Sequence, residues 1–402
     1  MSSKSAALLL LLMFIAIGCS SDSDTPSSQN DEQGDGMNDG GNNDDPDPDT
    51  VLIPEIAIVG EDIDDPLSLF LLTWENDYNN ESVINVAAAS GFLNPSVYAT
   101  SQPPKGSFYV IEPGTATPDA FRFDLVNSTS HSYIFEEYFT PSQAYTNSSE
   151  WAGDDYLYVF YLDLDNPLEQ TYLHSYNVIT GATQEFSLGG VAPLSQYVLI
   201  SGDYAFVLFQ DNDTSEVALH IFNAATGEST MIPFENYHSI FHNSLDNELY
   251  LFHTTQGCDR RDYDIVDIAT LQITGSSSLQ ATICNPDFMN KAAFFENKML
   301  YETITAAPSG PIFNPSIYDF GTGNNTIINV GDLFFQLASI TNLQVTTFIS
   351  IDVDLETETI VVGFQYNDNA STKGAVAFLT YDWELKRIVE TNNVIPETIL
   401  FE

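Results

Sequence analysis

From about Val51 onward, short runs alternate Val, Ile, Leu, Tyr or Phe with polar residues, and clusters of Asn, Asp, Gly and Ser separate the runs. Alternation with a period of two is the pattern of a strand with one face buried, and the separators are turn formers. No long stretch keeps the 3.6-residue period of an amphipathic helix. The chain therefore reads as all-β.

The runs repeat in pairs. Asp155–Phe160 (DYLYVF) is followed by a polar segment and then Tyr172–Gly181 (YLHSYNVITG). Asp203–Leu208 (DYAFVL) is followed in the same way by Ala218–Gly227 (ALHIFNAATG), and the two glycines are 46 residues apart. His174 matches His220, Asn177 matches Asn223 and Thr180 matches Thr226, so the histidines read as packing residues of a repeat. Weaker copies place the Asn or Asp of each repeat at Asn85, Asp124, Asn177, Asn223, Asp267, Asp319 and Asp382, with spacings of 39, 53, 46, 44, 52 and 63. A period near 50 built of strands alone predicts a β-propeller with one four-stranded blade per repeat, most simply seven blades. One blade cannot bury both of its faces, so blades stack around an axis. A six-bladed ring and a pair of β-sandwich domains are the competing folds.

The Asn/Asp-x-x-Thr-Gly element has a local cause. The Asn or Asp side chain accepts hydrogen bonds from the backbone ahead of it, and Gly supplies a positive φ. The spacing assigns it to the turn between third and fourth strands. In its Tyr/Phe-Asn-x-x-Thr-Gly form the element resembles that of bacterial propellers of the quinoprotein, YVTN and TolB-like groups. The resemblance spans residues 65–402 as a pattern and implies architecture, with little about function. No Trp-Asp dipeptide series is present.

In this frame the long, variable connections lie between second and third strands: 75–82, 113–119, 163–170, 211–216, 254–262, 306–314 and 367–374. Variable polar loops on a rigid scaffold are where binding groups usually sit, so the expected ligand or partner site lies on that loop-rich face.

The first residues carry an address. Ala6–Ile17 is an apolar run of 12 residues, too short for a span of about 20, and reads as the core of a signal peptide over residues 1–18. Ala16-Ile17-Gly18-Cys19 resembles a bacterial lipobox, which implies cleavage before Cys19 and its lipidation; an ordinary signal peptide with a chance cysteine is the alternative. Residues 19–50 follow as a tether. Ser20–Thr50 holds ten acids and no base, with almost nothing apolar to offset ordering entropy. Cys19-Ser20-Ser21-Asp22-Ser23-Asp24 is similar to the acidic export signal of surface lipoproteins in Bacteroidetes-type bacteria. That resemblance implies an outer-membrane, lipid-anchored, surface-exposed protein, with a periplasm-facing one as the alternative. The propeller domain occupies 51–402.

Charge narrows the partners. With 57 acids, 10 bases and a net charge of −47, the chain lacks the basic footprint that nucleic acid requires. Salt adaptation is a sufficient reason for such acidity. The scarce bases concentrate at Arg260, Arg261 and Lys291, near Cys258 and Cys284. In an exported protein those two cysteines read as a disulfide, with two buried free thiols as the alternative. Arg260 and Arg261 either pair with Asp259, Asp262 and Asp264 or hold a carboxylate, sulfate or phosphate. Trp74 and Trp151 serve either as a stacking platform for sugar or as blade packing. The Asp163/Asp165/Asn166 and Asp211/Asp213 groups carry calcium-type oxygens without an EF-hand pattern. His238, His242 and His253 fall near one blade, where a three-His metal site is conceivable but does not obviously converge.

No nucleophile elbow, phosphate loop or HExxH helix is present, and no cofactor is assigned. The expected function is a surface lipoprotein that binds a ligand or protein partner, by analogy a capture subunit beside an outer-membrane transporter. A glycan hydrolase or lyase and a structural envelope component are the alternatives.

Overall fold

The computed structural model describes residues 52–401 apart from 76–77, 98–106, 112–119, 126–128, 134–142, 153–154, 164–169, 189–197, 211–216, 254–260, 280–291, 308–309 and 369–370. The described strands form seven antiparallel sheets of four.

Blade one takes β1 (Ile56–Glu61), β2 (Leu69–Glu75) and β3 (Asn80–Asn85) from the start of the domain; a short helix, α1 (Val86–Ser90), follows. Blade two holds β4 (Ser96–Val97), β5 (Ser107–Ile111), β6 (Ala120–Asp124) and β7 (Thr129–Tyr133). Blade three holds β8 (Gln143–Ala152), β9 (Tyr156–Asp163), β10 (Gln170–Asn177) and β11 (Thr183–Ser187). Blade four holds β12 (Val198–Ser201), β13 (Tyr204–Gln210), β14 (Val217–Asn223) and β15 (Glu228–Pro233). Blade five holds β16 (Tyr237–Asn243), β17 (Glu248–His253), β18 (Arg261–Asp267) and β19 (Gln272–Leu279). Blade six holds β20 (Ala293–Phe295), β21 (Lys298–Ala307), β22 (Gly310–Asp319) and β23 (Asn324–Ile327), and a second helix, α2 (Val330–Thr341), leads out of it. Blade seven holds β24 (Gln344–Asp354), β25 (Thr359–Asp368), β26 (Ser371–Leu379) and β27 (Leu385–Asn392). The last described strand, β28 (Thr398–Phe401), returns to blade one and pairs with β1, Ile56 opposite Phe401 and Val59 opposite Thr398.

The fold is a seven-bladed β-propeller whose ring is closed by β28. Packing explains why it closes. The buried side chains of the described residues form seven clusters, each joining two adjacent blades, from Ala57, Val59, Phe108 and Val110 between blades one and two to Ile58, Leu72, Val361 and Phe378 between blades seven and one. Second strands are covered on both faces, as in β1 (IAIVGE) and β25. Outermost strands such as β15 and β23 are largely exposed. This gradient reads apolar inside and polar at the rim, as stacked sheets require.

The third-to-fourth turns form as the sequence implies in blades three to six. Asn177 Oδ1 accepts from the Ile179 and Thr180 amides and from Thr180 Oγ1. Gly181 and Gly227 follow with φ of 71° and 74°. Asp267 and Asp319 cap their turns in the same way.

Blade one departs from the sequence reading. Because β28 is its innermost strand, β1, β2 and β3 are its second, third and fourth. The frame of the first copy is therefore displaced by one strand. Asn85 ends the outermost strand and caps α1, accepting from the Ala88 amide at 2.8 Å. The segment 75–82 holds a third-to-fourth turn, and the second-to-third connection is 62–68. Blades six and seven also differ. The expected loops 306–314 and 367–374 lie mostly within long hairpins, whose connections are only 308–309 and 369–370. Asn314 and the prolines around it resemble turn formers, but Asn314 is buried, and its side chain accepts from the Val330 amide at the head of α2.

Helix α2 is absent from the strand-only reading. Asn329 caps it, Leu333, Leu337 and Thr341 bury one face, and Asn342 ends it in the left-handed region. The insertion accounts for the longest spacing, from Asp319 to Asp382.

Candidate functional site

The ring has two ends. One carries the first-to-second and third-to-fourth turns. The other carries the second-to-third connections and the crossovers between blades, and is the loop-rich end. Long second-to-third connections belong to blades one to five: 62–68, 112–119, 164–169, 211–216 and 254–260.

Cys19, Cys258, Arg260, Cys284 and Lys291 lie outside the described residues, as do Asp165, Asn166, Asp211 and Asp213. The connection 254–260 belongs to blade five, and Arg261 opens β18 with Leu279 as its ladder partner. Trp74 is near the tight-turn end of β2, its ring 5.5 Å from Tyr78, against the seam between blades seven and one. The side chains of Trp151 and His238 are outside the described set.

The bases with described side chains are engaged by groups of their own blade or of a neighbouring one. Arg122 lies over Tyr109 and Arg387 over Tyr78. Lys298 pairs with Glu358, and Lys373 with Asp368 at 3.1 Å. Lys386 donates to the Leu52 and Thr357 carbonyls and to Thr359 Oγ1. Burial of that ammonium lowers its pKa, and the charges of Asp354 and Glu358 oppose the shift.

Among the described residues, an organised polar group on the loop-rich end is in blade five. Asp264, on β18 and 8% exposed, accepts from Ser276 Oγ at 2.6 Å, Tyr237 Oη at 3.0 Å and His253 Nε2 at 3.0 Å. One strand of the blade contributes each residue: Tyr237 begins β16, His253 ends β17, and Ser276 lies on β19 opposite Asp264. One step nearer the loop-rich end of the same two strands, Ser278 Oγ donates to Asp262 Oδ1 at 2.6 Å. The group caps the apolar seam against blade four, where Phe234, Ile240, Leu251 and Val266 meet Leu208 and Leu219. The rings of Tyr237 and His253 are 5.0 Å apart.

Burial alone would raise the Asp264 pKa, but the hydrogen bonds from Ser276 and Tyr237 and the neighbouring His253 outweigh it, so the carboxyl stays below its usual range. Tyr237 is pushed up to about 12, first by burial and then by its bond to Asp264 and that carboxylate's charge. The arrangement therefore holds an ionised carboxylate against a neutral phenol and an imidazole at the edge of solvent.

The sequence held a signal for this group. In Asp262-Tyr263-Asp264 the acids occupy one face of β18, and Ser276 and Ser278 occupy the facing positions of β19. Tyr237 and His253 required the register of the blade. His242, the remaining described member of the histidine group, is elsewhere. It pairs with Leu249 further along the hairpin, is 2% exposed and packs 5.6 Å from the Tyr204 ring and 5.0 Å from that of Phe206. Among the described residues, no group of three or more His, Cys, Asp or Glu side chains is placed to hold a metal ion.

No family model matches the sequence, and no curated protein matches it significantly. Solved structures do resemble the fold. TolB from Acinetobacter baumannii aligns with 83% of this chain and 79% of its own at 10% identity and a TM-score of 0.36. The β-propeller domain of the trilobed protease from Pyrococcus furiosus aligns over 63% and 71%, at 9% and 0.35. A Synechocystis ACO mutant aligns over 86% and 91%, at 8% and 0.43. These likenesses are loose, and the blade count rests on the strand pairing of this chain.

Proposed function

We propose that the protein is an outer-membrane, surface-exposed lipoprotein whose propeller binds a ligand or protein partner at its loop-rich end, as a capture subunit beside a transporter. The observation that supports this reading is the asymmetry of the ring. Five neighbouring blades, one to five, carry their long second-to-third connections at one end, while the opposite end carries hydrogen-bonded turns. Arg260, Arg261 and Lys291 would hold an anionic group of the ligand. The signal peptide, Cys19 and the acidic residues after it support anchoring by lipid. Among the described residues, no helix is long and apolar enough to cross a membrane.

Two measurements test the two halves. Metabolic labelling with a palmitate analogue should mark the wild type and leave Cys19→Ala unlabelled; equal labelling of both defeats the anchor. Arg260→Ala/Arg261→Ala should abolish capture of acidic oligosaccharides or of the envelope partner recovered by cross-linking. Unchanged capture removes the anion site, and turnover of a polysaccharide panel by the wild type would replace binding with catalysis.

A further inference from the structure

The seam between blades one and two leaves a recess among its outer strands, the third and fourth of each blade. It holds about 370 Å³ of space, part of it open to solvent, at the small end of the range of about 300–1,000 Å³ that ligand sites occupy. Its cause is in the side chains. Leu71 and Ile84 of blade one and Phe123 and Leu125 of blade two make apolar walls. Thr73, Ala89 and Ser130 complete them with short side chains that leave the space between unfilled. Ala89 and Ser130 are exposed, so the recess is open from outside. The walls are also held in place. The Phe123 ring stacks on that of Phe108, centroids 4.8 Å apart and planes within 8°. Helix α1, which carries Ala89, is pinned at both ends: Asn85 caps it, Val86 is fully buried, and Phe92 just beyond it lies 6.4 Å from the Phe121 ring.

Of the lining residues, Asp124 alone is charged. It ends β6 at the place in the repeat where Asn177 and Asn223 cap their turns, so capping by itself does not call for an acid there. The base beside it on β6, Arg122, lies over the Tyr109 ring in the seam toward blade three. We infer that the recess binds a small organic ammonium ion, its hydrocarbon body between the apolar walls and its charged head at Asp124. Three features choose this class. The walls exclude a fully polar ligand, because burying its groups unpaired would cost more than the contact returns. The carboxylate and a net charge of −47 attract a cation and repel an anion. The Thr73 and Ser130 hydroxyls add acceptors for N–H groups. The recess is separate from the loop-rich end and from the lipid anchor, so its failure and theirs are distinguishable.

The test uses the full chain with 13C-labelled isoleucine and leucine methyls, titrated with phenethylammonium, phenethyl alcohol and phenylpropionate. The ammonium should shift the Leu71, Ile84 and Leu125 methyls saturably. The alcohol should bind about fivefold more weakly, the scale of one partly exposed charge pair, and the carboxylate should give no saturable shift. Asp124→Asn keeps a residue that caps the equivalent turns of blades three and four, and should lower ammonium affinity to that of the alcohol while leaving the alcohol unaffected. Ala89→Leu should fill the recess and abolish both responses without lowering the melting temperature. Equal affinity for ammonium and alcohol overturns the inference, as do ammonium shifts spread over the surface without saturation at these three methyls. Wild-type ammonium affinity in Asp124→Asn removes the charge from the site, and binding that survives Ala89→Leu unchanged removes the recess.

Discussion

Gly181 sits at φ +71°, and a methyl on its Cα would meet nothing closer than the Tyr176 hydroxyl at 3.9 Å. Substitution there reports backbone cost alone. Gly181→Ala should destabilise the protein by about 1 kcal/mol, seen as a lower midpoint in urea with an unchanged slope. His242 makes a different prediction. Burial lowers its pKa from 6.5 to about 4, although the Asn247 side chain opposes the shift. Above pH 6.5 both folded and unfolded forms hold it neutral, and nothing is lost. As pH falls from 6.5 toward 4, only the unfolded chain takes the proton, so stability declines through that window by up to about 3 kcal/mol. His242→Phe should flatten that decline, measured as the difference in melting temperature between pH 7 and pH 5. Residue-scale chemistry of the first kind was readable in advance, because an Asx turn needs only its own four or five residues. The surroundings of His242 were not, since they depend on Tyr204 and Phe206 from another blade.

Elements show the same division. The strands were readable from alternation and the blade period from the spacing of Asn177, Asn223 and Asp267. Helix α2 was missed because one turn of Asn-capped polar sequence and three inward residues make a weak signal beside exposed Phe334 and Phe335. The frame of blade one was missed because its inner strand lies more than 300 residues away, beyond any local pattern. The segment before that strand carries a more specific prediction. Residues 394–396 pass so close to three glycines that an added methyl would lie 1.6 Å from the Ile395 oxygen at Gly60, 2.6 Å from the Pro396 oxygen at Gly363, and 2.1 Å from the Val394 oxygen at Gly374. The crossover is bonded into place by the Ile395 amide on the Glu61 carbonyl and by Thr391 Oγ1 on the Val394 carbonyl. Gly374→Ala should cost about 3 kcal/mol through overpacking. Amide exchange should rise at β1 and β28 before it rises in blades three to five; uniform exchange would contradict this account of the closing seam.

The whole molecule is a ring under self-repulsion. With a net charge of −47, its compact state should gain from salt, because the screening length falls from about 30 Å at 0.01 M to about 3 Å at 1 M. Melting temperature should rise by several degrees between 10 mM and 0.5 M sodium chloride, and a flat response would mean the acids are already dispersed enough not to matter. At this scale the architecture was largely readable and the site only in part: blade five was singled out through Arg260 and Arg261, while the ordered group proved to be Tyr237, His253, Asp264 and Ser276. The return of β28 to blade one also sets an order of events. A chain that emerges from its N-terminal end delivers β1, β2 and β3 first, and β1 must wait with an unpaired edge while six further blades arrive. Until Thr398–Phe401 emerges, that edge is open to any strand of suitable register, including one from another copy. A nascent chain of this kind is most in need of protection at β1, and a chain cut before Thr398 would keep nearly every blade and leave the ring unlatched.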